Sequence, residues 1–310
     1  MSFLERALEL AERGRGTTHP NPVVGAVVVR DGEIVGESWH ERKGEAHAES
    51  RALEQAGDRA IGATVYVTLE PCSRHGSTPP CTDALVEAGV AKVVVGAEDP
   101  IQDGISALRD AGVEVEVLGA WAARQQNETW LTWAREGRPF VTYKAAVTLD
   151  GRMTIPGERW LSGEESRRLV HEFRAASDAV AVGMGTVRAD DPRLDARAVD
   201  VVRQPRRLAF GRGPLPDGSE LELRSGELKA ELRALGEENV QSLLLEGGAT
   251  LASSFLRAGL VDKLLLFVAP KLSGAGPYLL QTLPERVPLT RLSARRAGED
   301  VLLTAYVHEP

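Results

Sequence analysis

Cysteine is nearly absent: Cys72 and Cys81 are the only two in 310 residues. A secreted scaffold held by disulfides uses more, and a reducing cytosol does not keep a single pair oxidised. The two thiols are therefore either metal ligands or packing residues. Long apolar runs are missing too. No stretch approaches the roughly 18 residues that a membrane span needs. Residues 1–10 alternate acidic, basic and apolar side chains where a signal peptide would carry an apolar core. These absences predict a cytoplasmic protein with no membrane partner. No block of Lys and Arg is long enough to act as a nucleic-acid arm, and the formal net charge is -8, so RNA and DNA are poor partners. There is no internal repeat, no low-complexity tract and no Gly-x-Gly-x-x-Gly fingerprint of a Rossmann domain. What remains is ordinary for a soluble globular protein, with 43% hydrophobic and 26% charged residues. The chain is long for a single core, which predicts two domains.

Residues 1–119 read as alternating strands and helices. Apolar spacing predicts a helix over 2–13, and a β-branched run predicts a strand over 23–29. Asp31-Gly32 is a hairpin turn signal, and 34–39 is the return strand. Helices are expected over 46–56, 82–88 and 105–110, and strands over 64–69, 92–96 and 113–118. That order implies a mostly parallel sheet covered by helices. Residues 120–137 read as one connecting amphipathic helix bearing Trp121, Trp130 and Trp133, ended by Gly137-Arg138-Pro139. A second α/β pattern fills 138–310. Its strands are expected at 140–147, 179–182, 207–210, 242–245, 263–269 and 301–307, and its helices at 164–176, 227–235 and 249–258. The polar, Gly- and Pro-rich stretch 211–226 reads as a loop.

The first chemical cluster is His47-Ala48-Glu49, then Pro71-Cys72, then Cys81. One imidazole and two thiolates suit zinc, and three protein ligands leave the open fourth position of a catalytic site. A water held there has its pKa lowered towards roughly 7. Glu49, two residues from His47 near a helix start, is placed to shuttle the proton of that water to a ring nitrogen and then to departing ammonia. The pattern His-x-Glu … Pro-Cys … Cys marks zinc nucleobase deaminases, although that pattern usually puts two residues between the cysteines. Here Ser73-Arg74-His75-Gly76-Ser77-Thr78-Pro79-Pro80 separates them. The alternative is two buried thiols and an unrelated histidine. A structural zinc lacks an evident fourth ligand, with His75 the only nearby candidate.

The segment from Leu69-Glu70-Pro71-Cys72 through Pro79-Pro80-Cys81 resembles the long cysteine loop of the bifunctional deaminase–reductases of riboflavin biosynthesis. So do Pro20-Asn21-Pro22-Val23-Val24-Gly25-Ala26-Val27 and Trp39-His40 ahead of Gly44-Glu45-Ala46-His47-Ala48-Glu49. In the second half the similar segments are Lys144 to Arg152, Asp178 to Val187, Asp190-Asp191-Pro192-Arg193-Leu194, and Glu246-Gly247-Gly248-Ala249-Thr250-Leu251. The resemblance runs over nearly the whole chain. It implies a cytidine-deaminase-like three-layer α/β domain followed by a dihydrofolate-reductase-like α/β domain.

The resemblance further implies that His47, Cys72 and Cys81 bind Zn2+ and that Glu49 is the general acid/base. Asn21, His40 and Arg74 would contact a phosphoribosyl-pyrimidine. By their own sequence context, Asn21 between two prolines reads as a turn residue, and His40 as packing or surface. In the second domain the resemblance implies an NADPH site at Ala146, Trp160, Thr186, Asp190 and Gly248. Substrate contacts would come from Lys144, Arg174, Leu194, Arg197 and Glu246, with the arginines facing its phosphate. Glu246-Gly247-Gly248 follows an apolar strand and opens a helix, which suits a pyrophosphate or is simply a tight turn. Trp160 as core, Arg174 as a solvated helix residue and Asp190 as a turn residue are the ordinary readings.

The expected activity is hydrolytic deamination of a phosphoribosylated diaminopyrimidinone, then NADPH reduction of the ribosyl group to ribityl. A homo-oligomer is expected by analogy. Departures from the family pattern stand at Arg74 (usually His), at Ser77 (usually Lys or Arg), after Asp99-Pro100, where the loop is short, and at Leu208-Ala209-Phe210-Gly211-Arg212, where a strand usually ends in Asp-Ser. Two alternatives stand beside this reading, the first motivated by the departures at Ser77 and around Phe210 and the second opposed by the acidic balance and the eight-residue gap between the cysteines. One is a zinc deaminase with a defective or repurposed reductase-like domain, down to a binding protein. The other is a deaminase of cytidine or a tRNA base.

Overall fold

The computed structural model describes residues 1–75 and 79–310. Ser77 lies outside the described residues. The chain divides into two units, Met1–Glu136 with Pro310, and Gly137–Glu309.

In the first unit the order is α1 (Phe3–Glu12), β1 (Gly25–Arg30), β2 (Glu33–Trp39), α2 (Ala48–Ala56), β3 (Thr64–Val67), α3 (Cys81–Glu87), β4 (Lys92–Val95), α4 (Gly104–Asp110), β5 (Glu114–Val117), α5 (Trp121–Gln126) and α6 (Glu128–Glu136). The sheet runs β2-β1-β3-β4-β5. Alternation along the strands makes it two-sided. Ala26, Val28, Val65, Val67, Val93 and Val95 pack beneath α2, α3 and α4. Val27 and Val29 pack on the other face against Ala7 and Leu10 of α1. This is the expected three-layer domain, but its sheet is evenly mixed. β1 is antiparallel to both β2 and β3, and only β3-β4 and β4-β5 are parallel. The Asp31-Gly32 turn dictates the first antiparallel pair, with both residues at positive φ.

The single helix expected over 120–137 is two. Asn127 leaves helical geometry at φ -113, ψ 24 because its side chain is used elsewhere. Its Nδ2 donates to Val23 O at 2.8 Å and its Oδ1 accepts from Val23 N at 3.0 Å. An amide that pairs with backbone competes with the helix ladder. Ala123, Trp130 and Leu131 then pack on Leu69 and Ala97, so this segment belongs to the first unit's core.

The second unit contains β6 (Phe140–Thr148), α7 (Glu164–Ala175), β7 (Ala179–Gly183), α8 (Met184–Asp190), β8 (Arg206–Phe210), β9 (Glu222–Arg224), α9 (Leu228–Glu237), β10 (Ser242–Leu245), α10 (Ala249–Arg257), β11 (Lys263–Ala269), β12 (Thr290–Ala297) and β13 (Asp300–Tyr306). Its eight strands run β12-β13-β11-β6-β10-β7-β8-β9. The pairings from β11 to β9 are parallel, and β13 and β12 close one edge antiparallel. Three elements escape the sequence pattern. β9 is a short strand inside the expected loop, α8 follows β7 directly, and β12 is almost wholly exposed, so it shows no apolar alternation.

A buried ion pair ties the start of β6 to the start of β11. Arg138 meets Asp262 through two hydrogen bonds of 2.7 and 2.8 Å, and Asp262 also accepts from Val141 N at 2.7 Å. Asp262 is 1% exposed. Removing one partner strands the other charge in the interior. Asp262→Ala should therefore lower the unfolding free energy of the second unit by about 3–5 kcal/mol, and the double apolar replacement R138M/D262L should recover most of it. Chemical denaturation followed on that unit's transition checks both. A loss below about 1 kcal/mol would place the pair among those that contribute nothing measurable.

Candidate active sites

Two helix starts and one loop build the first site. His47 is the N-cap residue of α2, and its side chain makes no capping hydrogen bond, which leaves the ring free. Cys81 is the first residue of α3. Cys72 lies in the loop that leaves β3. Nδ1 of His47 stands 3.2 Å from Cys81 Sγ and 3.4 Å from Cys72 Sγ, and one donor atom from each residue lies within 4.8 Å of the others. With bonds of about 2.0 Å to nitrogen and about 2.3 Å to sulfur, a tetrahedral zinc sets an N···S separation of roughly 3.5 Å. The residues fit zinc. The thiols titrate as a pair. A hydrogen bond from Cys81, helped by His47, brings Cys72 down to about 4, and the same contact together with burial pushes Cys81 up. One thiolate is thus ready, and a dication displaces the remaining thiol proton.

Glu49, in the first turn of α2, is 3% exposed. Burial pushes its carboxyl up, against the pull of His47. It lines a cavity of about 290 Å³ together with His47 and Cys72. Asn21 and His40 line the same cavity. Asn21 Nδ2 is 3.3 Å from His40 Nε2, and His40 Nδ1 is 3.4 Å from Ala46 O. This is the pattern of a neutral ring that accepts at Nε2 and donates at Nδ1. Burial lowers the His40 pKa, which favours that neutral form.

Arg74 is not among the residues around this cavity. It is exposed, 3.8 Å from Asp103. Sequence reasoning missed two further lining residues, Trp130 and Trp133 from α6. Their spacing looks like helix packing, which Trp130 also does. Asp99 was missed as well; burial, with Glu70 nearby, raises it to about 6. Glu70 holds that loop by accepting from Asp99 N at 3.1 Å and Ile105 N at 2.9 Å. Gly104 lets α4 approach, since a Cβ there would meet Pro71 O at 1.9 Å.

The second site lies at the carboxyl ends of β6, β10 and β7. A cavity of about 970 Å³ gathers Lys144, Ala146, Trp160, Arg174, Asp190, Arg197 and Glu246. Glu246 is its centre. Lys144 Nζ lies 3.1 Å away, and Arg174 holds it by two bonds of 2.6 and 3.1 Å. Burial alone would raise its pKa, yet Lys144 and Arg174 take it down to about 2. Trp160 is exposed, with Arg159 and Arg167 over its ring at 5.2 and 5.1 Å.

Thr186 and Gly248 stand at the neighbouring ends of β7 and β10. A Cβ on Gly248 would sit 3.9 Å from Thr186 Oγ1, and one on Gly185 would meet nothing within 4 Å. Gly248 is the N-cap of α10 and supplies no side chain to its free N–H groups. Open glycine strand ends beside an uncapped helix start suit a dinucleotide pyrophosphate. Leu194 differs from expectation. Its side chain is buried with Val180, Val182 and Val187, so only its backbone, at φ 56, is left for a ligand. His171 joins the cavity unannounced by any motif. Its Nδ1 accepts from Arg197 N at 3.4 Å, and burial, then Arg174 and Arg197, lower its pKa.

Among the described residues no helix is long and apolar enough to cross a membrane. Two family models match the chain. Residues 1–97 match the cytidine and deoxycytidylate deaminase zinc-binding region, and residues 139–303 match the RibD C-terminal domain. The riboflavin biosynthesis protein RibD of Aquifex aeolicus is 38% identical, over 97% of this chain and 97% of its own. That of Mycobacterium tuberculosis is 42% identical, over 96% and 94%. Among solved structures, Acinetobacter baumannii RibD superposes with a TM-score of 0.85 at 35% identity, covering 98% of this chain and 97% of the other. A diaminohydroxyphosphoribosylaminopyrimidine deaminase / 5-amino-6-(5-phosphoribosylamino)uracil reductase from Thermotoga maritima does so at 0.82 and 33%, with the same coverage.

Two measurements follow from the geometry. Metal analysis of purified protein should find about one zinc per chain, and Cys72→Ser or Cys81→Ser should each remove most of it, because structural affinity rests on the full donor set. Retention of zinc by both variants would dismiss the cluster. The depressed pKa of Glu246 means that its contribution to stability is complete above the ordinary 4.5 and is lost as pH falls towards about 2. The gap in unfolding midpoint between the natural protein and Glu246→Gln should thus narrow steadily below pH 4.5. A gap constant with pH would show that the ion pairs do not carry it.

Proposed function

The chain belongs to the RibD family of riboflavin-biosynthesis proteins, and from that premise we propose how its own residues divide the work. It is a bifunctional enzyme, a zinc-dependent deaminase in its N-terminal unit and an NADPH-dependent reductase in its C-terminal unit. The substrate of the first reaction is 2,5-diamino-6-(5-phosphoribosylamino)pyrimidin-4-one. The second reaction reduces the ribosyl side chain of the deaminated product to ribityl.

In the deaminase, His47, Cys72 and Cys81 would hold zinc, which would make a bound water nucleophilic at neutral pH. Glu49 takes one proton from the attacking water and hands it to the ring nitrogen, then takes the second from the new hydroxyl and delivers it to the departing ammonia. Burial serves this cycle, because raising the Glu49 carboxyl makes it easier for that carboxylate to take up and hold a proton between the two transfers. Asn21 and neutral His40 orient the ring and its ribose, and Trp130 and Trp133 supply apolar lining to the same cavity. Arg74 serves the phosphate, outside the cavity proper. The single observation that carries the reading is a buried carboxylate lining the same cavity as two zinc-competent ligands.

In the reductase, NADPH supplies the hydride. Ala146, Trp160, Thr186, Asp190 and Gly248 position the cofactor. Glu246, fixed by Lys144 and Arg174, orients the substrate, the backbone of Leu194 adds a contact, and Arg197 with Arg174 faces the phosphate. An intact Lys144–Glu246–Arg174 cluster beside open glycine strand ends leaves nothing in favour of a defective second domain. We place the enzyme in the cytoplasm and expect a homo-oligomer, since β12 is an edge strand that exposes Leu292.

The test is Glu49→Gln. Ammonia release should fall by about 10²–10⁴-fold, the usual worth of a general acid–base, with zinc content unchanged. Turnover near the natural rate in the zinc-loaded variant would contradict this role for Glu49.

A further inference from the structure

Arg197 is read above as facing the substrate phosphate, and the segment that carries it is strained. Leu194 and Ala198, on either side, stand at φ 56 and φ 57. Residues with a side chain rarely adopt that left-handed region, and they persist there where the surrounding structure over-determines them. Residues 194–198 form neither helix nor strand, so no ladder of their own supplies the hold.

Three side chains supply it. The two peptide units that lead into Arg197 are each gripped at both the oxygen and the N–H. In the first, Asp195 O accepts from Arg174 Nη1 at 3.1 Å and Ala196 N donates to Gln204 Oε1 at 3.0 Å. In the second, Ala196 O accepts from Gln204 Nε2 at 2.7 Å and Arg197 N donates to His171 Nδ1 at 3.4 Å. Gln204 thus takes two of these groups, and α7 takes the others through His171 and Arg174, which stand three apart on one helix face. A peptide unit is planar, so holding its oxygen and its N–H fixes the place from which the Arg197 side chain departs. Among the described residues the Arg197 guanidinium pairs with Asp195 of the same segment, and it is half exposed. An exposed pair of this kind fixes little, so the aim of Arg197 depends on its backbone. Only an imidazole with Nδ1 free of a proton can accept from the Arg197 amide. Burial, then Arg174 and Arg197, favours the neutral ring.

We propose that His171 is a positioning residue of the reductase, whose Nδ1 accepts from the Arg197 amide and so aims Arg197 at the phosphate of the substrate. The proposal rests on the reading of the second unit as a reductase and of Arg197 as a phosphate contact. It gives His171 a part in substrate affinity and none in hydride transfer.

The test is steady-state kinetics of the full-length protein with NADPH and the deaminated phosphoribosyl substrate. His171→Ala should raise the KM for that substrate by about 3- to 30-fold, a part of the worth of a charge-assisted contact. Its kcat should stay near the natural value, the signature of lost binding that ground state and transition state share. The KM for NADPH should not move, which also shows that the variant folds. His171→Asn, whose Oδ1 can take the place of Nδ1, should restore most of the affinity. In the double variant H171A/R197A the loss should be no larger than in Arg197→Ala alone, because a residue that acts through another does not add to its removal. A natural KM in His171→Ala, an Asn variant no better than the Ala variant, or losses that simply add would overturn the proposal and spare the reductase reading. Failure of the natural protein to oxidise NADPH with this substrate would overturn both.

Discussion

Two thiols and an imidazole cluster in the first unit, and the imidazole and one thiol share a pocket with a buried carboxylate. Such a group of acids is costly to bury unless a cation neutralises it. The surrounding structure serves that constraint. α2 begins at His47 and brings Glu49 in with its first turn. α3 begins at Cys81. The Cys72 loop is pressed against α4, where Gly104 removes the obstacle and Glu70 ties down two backbone amides. Asn127 closes the Asn21 side by pairing both ways with Val23. These contacts hold the described backbone around the pocket on several sides, as a site that must keep a proton shuttle within reach of a water requires.

The second unit meets a similar problem with protein charges in place of a metal. Glu246 is buried, and Lys144 and Arg174 neutralise it. The two cations come from β6 and α7, so the carboxylate also fixes how the helix sits over the strand ends. Asp262 and Arg138 repeat the device at the opposite end of β6. Parallel strands buried on both faces leave few places for polar side chains, and this sheet concentrates them at its two ends.

Much of this was legible in the sequence, because the relevant residues are local. His47 and Glu49 stand two apart, and proline precedes each cysteine. The Asp31-Gly32 turn and the apolar strands announce themselves by period and turn chemistry. What could not be read is what depends on long-range partners. Asn127 breaks a helix for the sake of Val23, more than a hundred positions away in sequence. Trp130 and Trp133 have helical spacing, which gives no hint that they wall a cavity. The antiparallel β1-β3 pairing is a matter of topology, and exposed β12 carries no pattern at all. The Leu194 side chain is buried in the core, which leaves its backbone as the part that can meet the expected substrate.

The most direct measurement of the central claim is a single-enzyme assay with the diaminopyrimidinone phosphoriboside, following ammonia and NADPH together. The account predicts ammonia release with or without NADPH, and NADPH oxidation only after the substrate has been deaminated. Zinc-loaded protein that releases no ammonia, or that oxidises NADPH with undeaminated substrate alone, would contradict it.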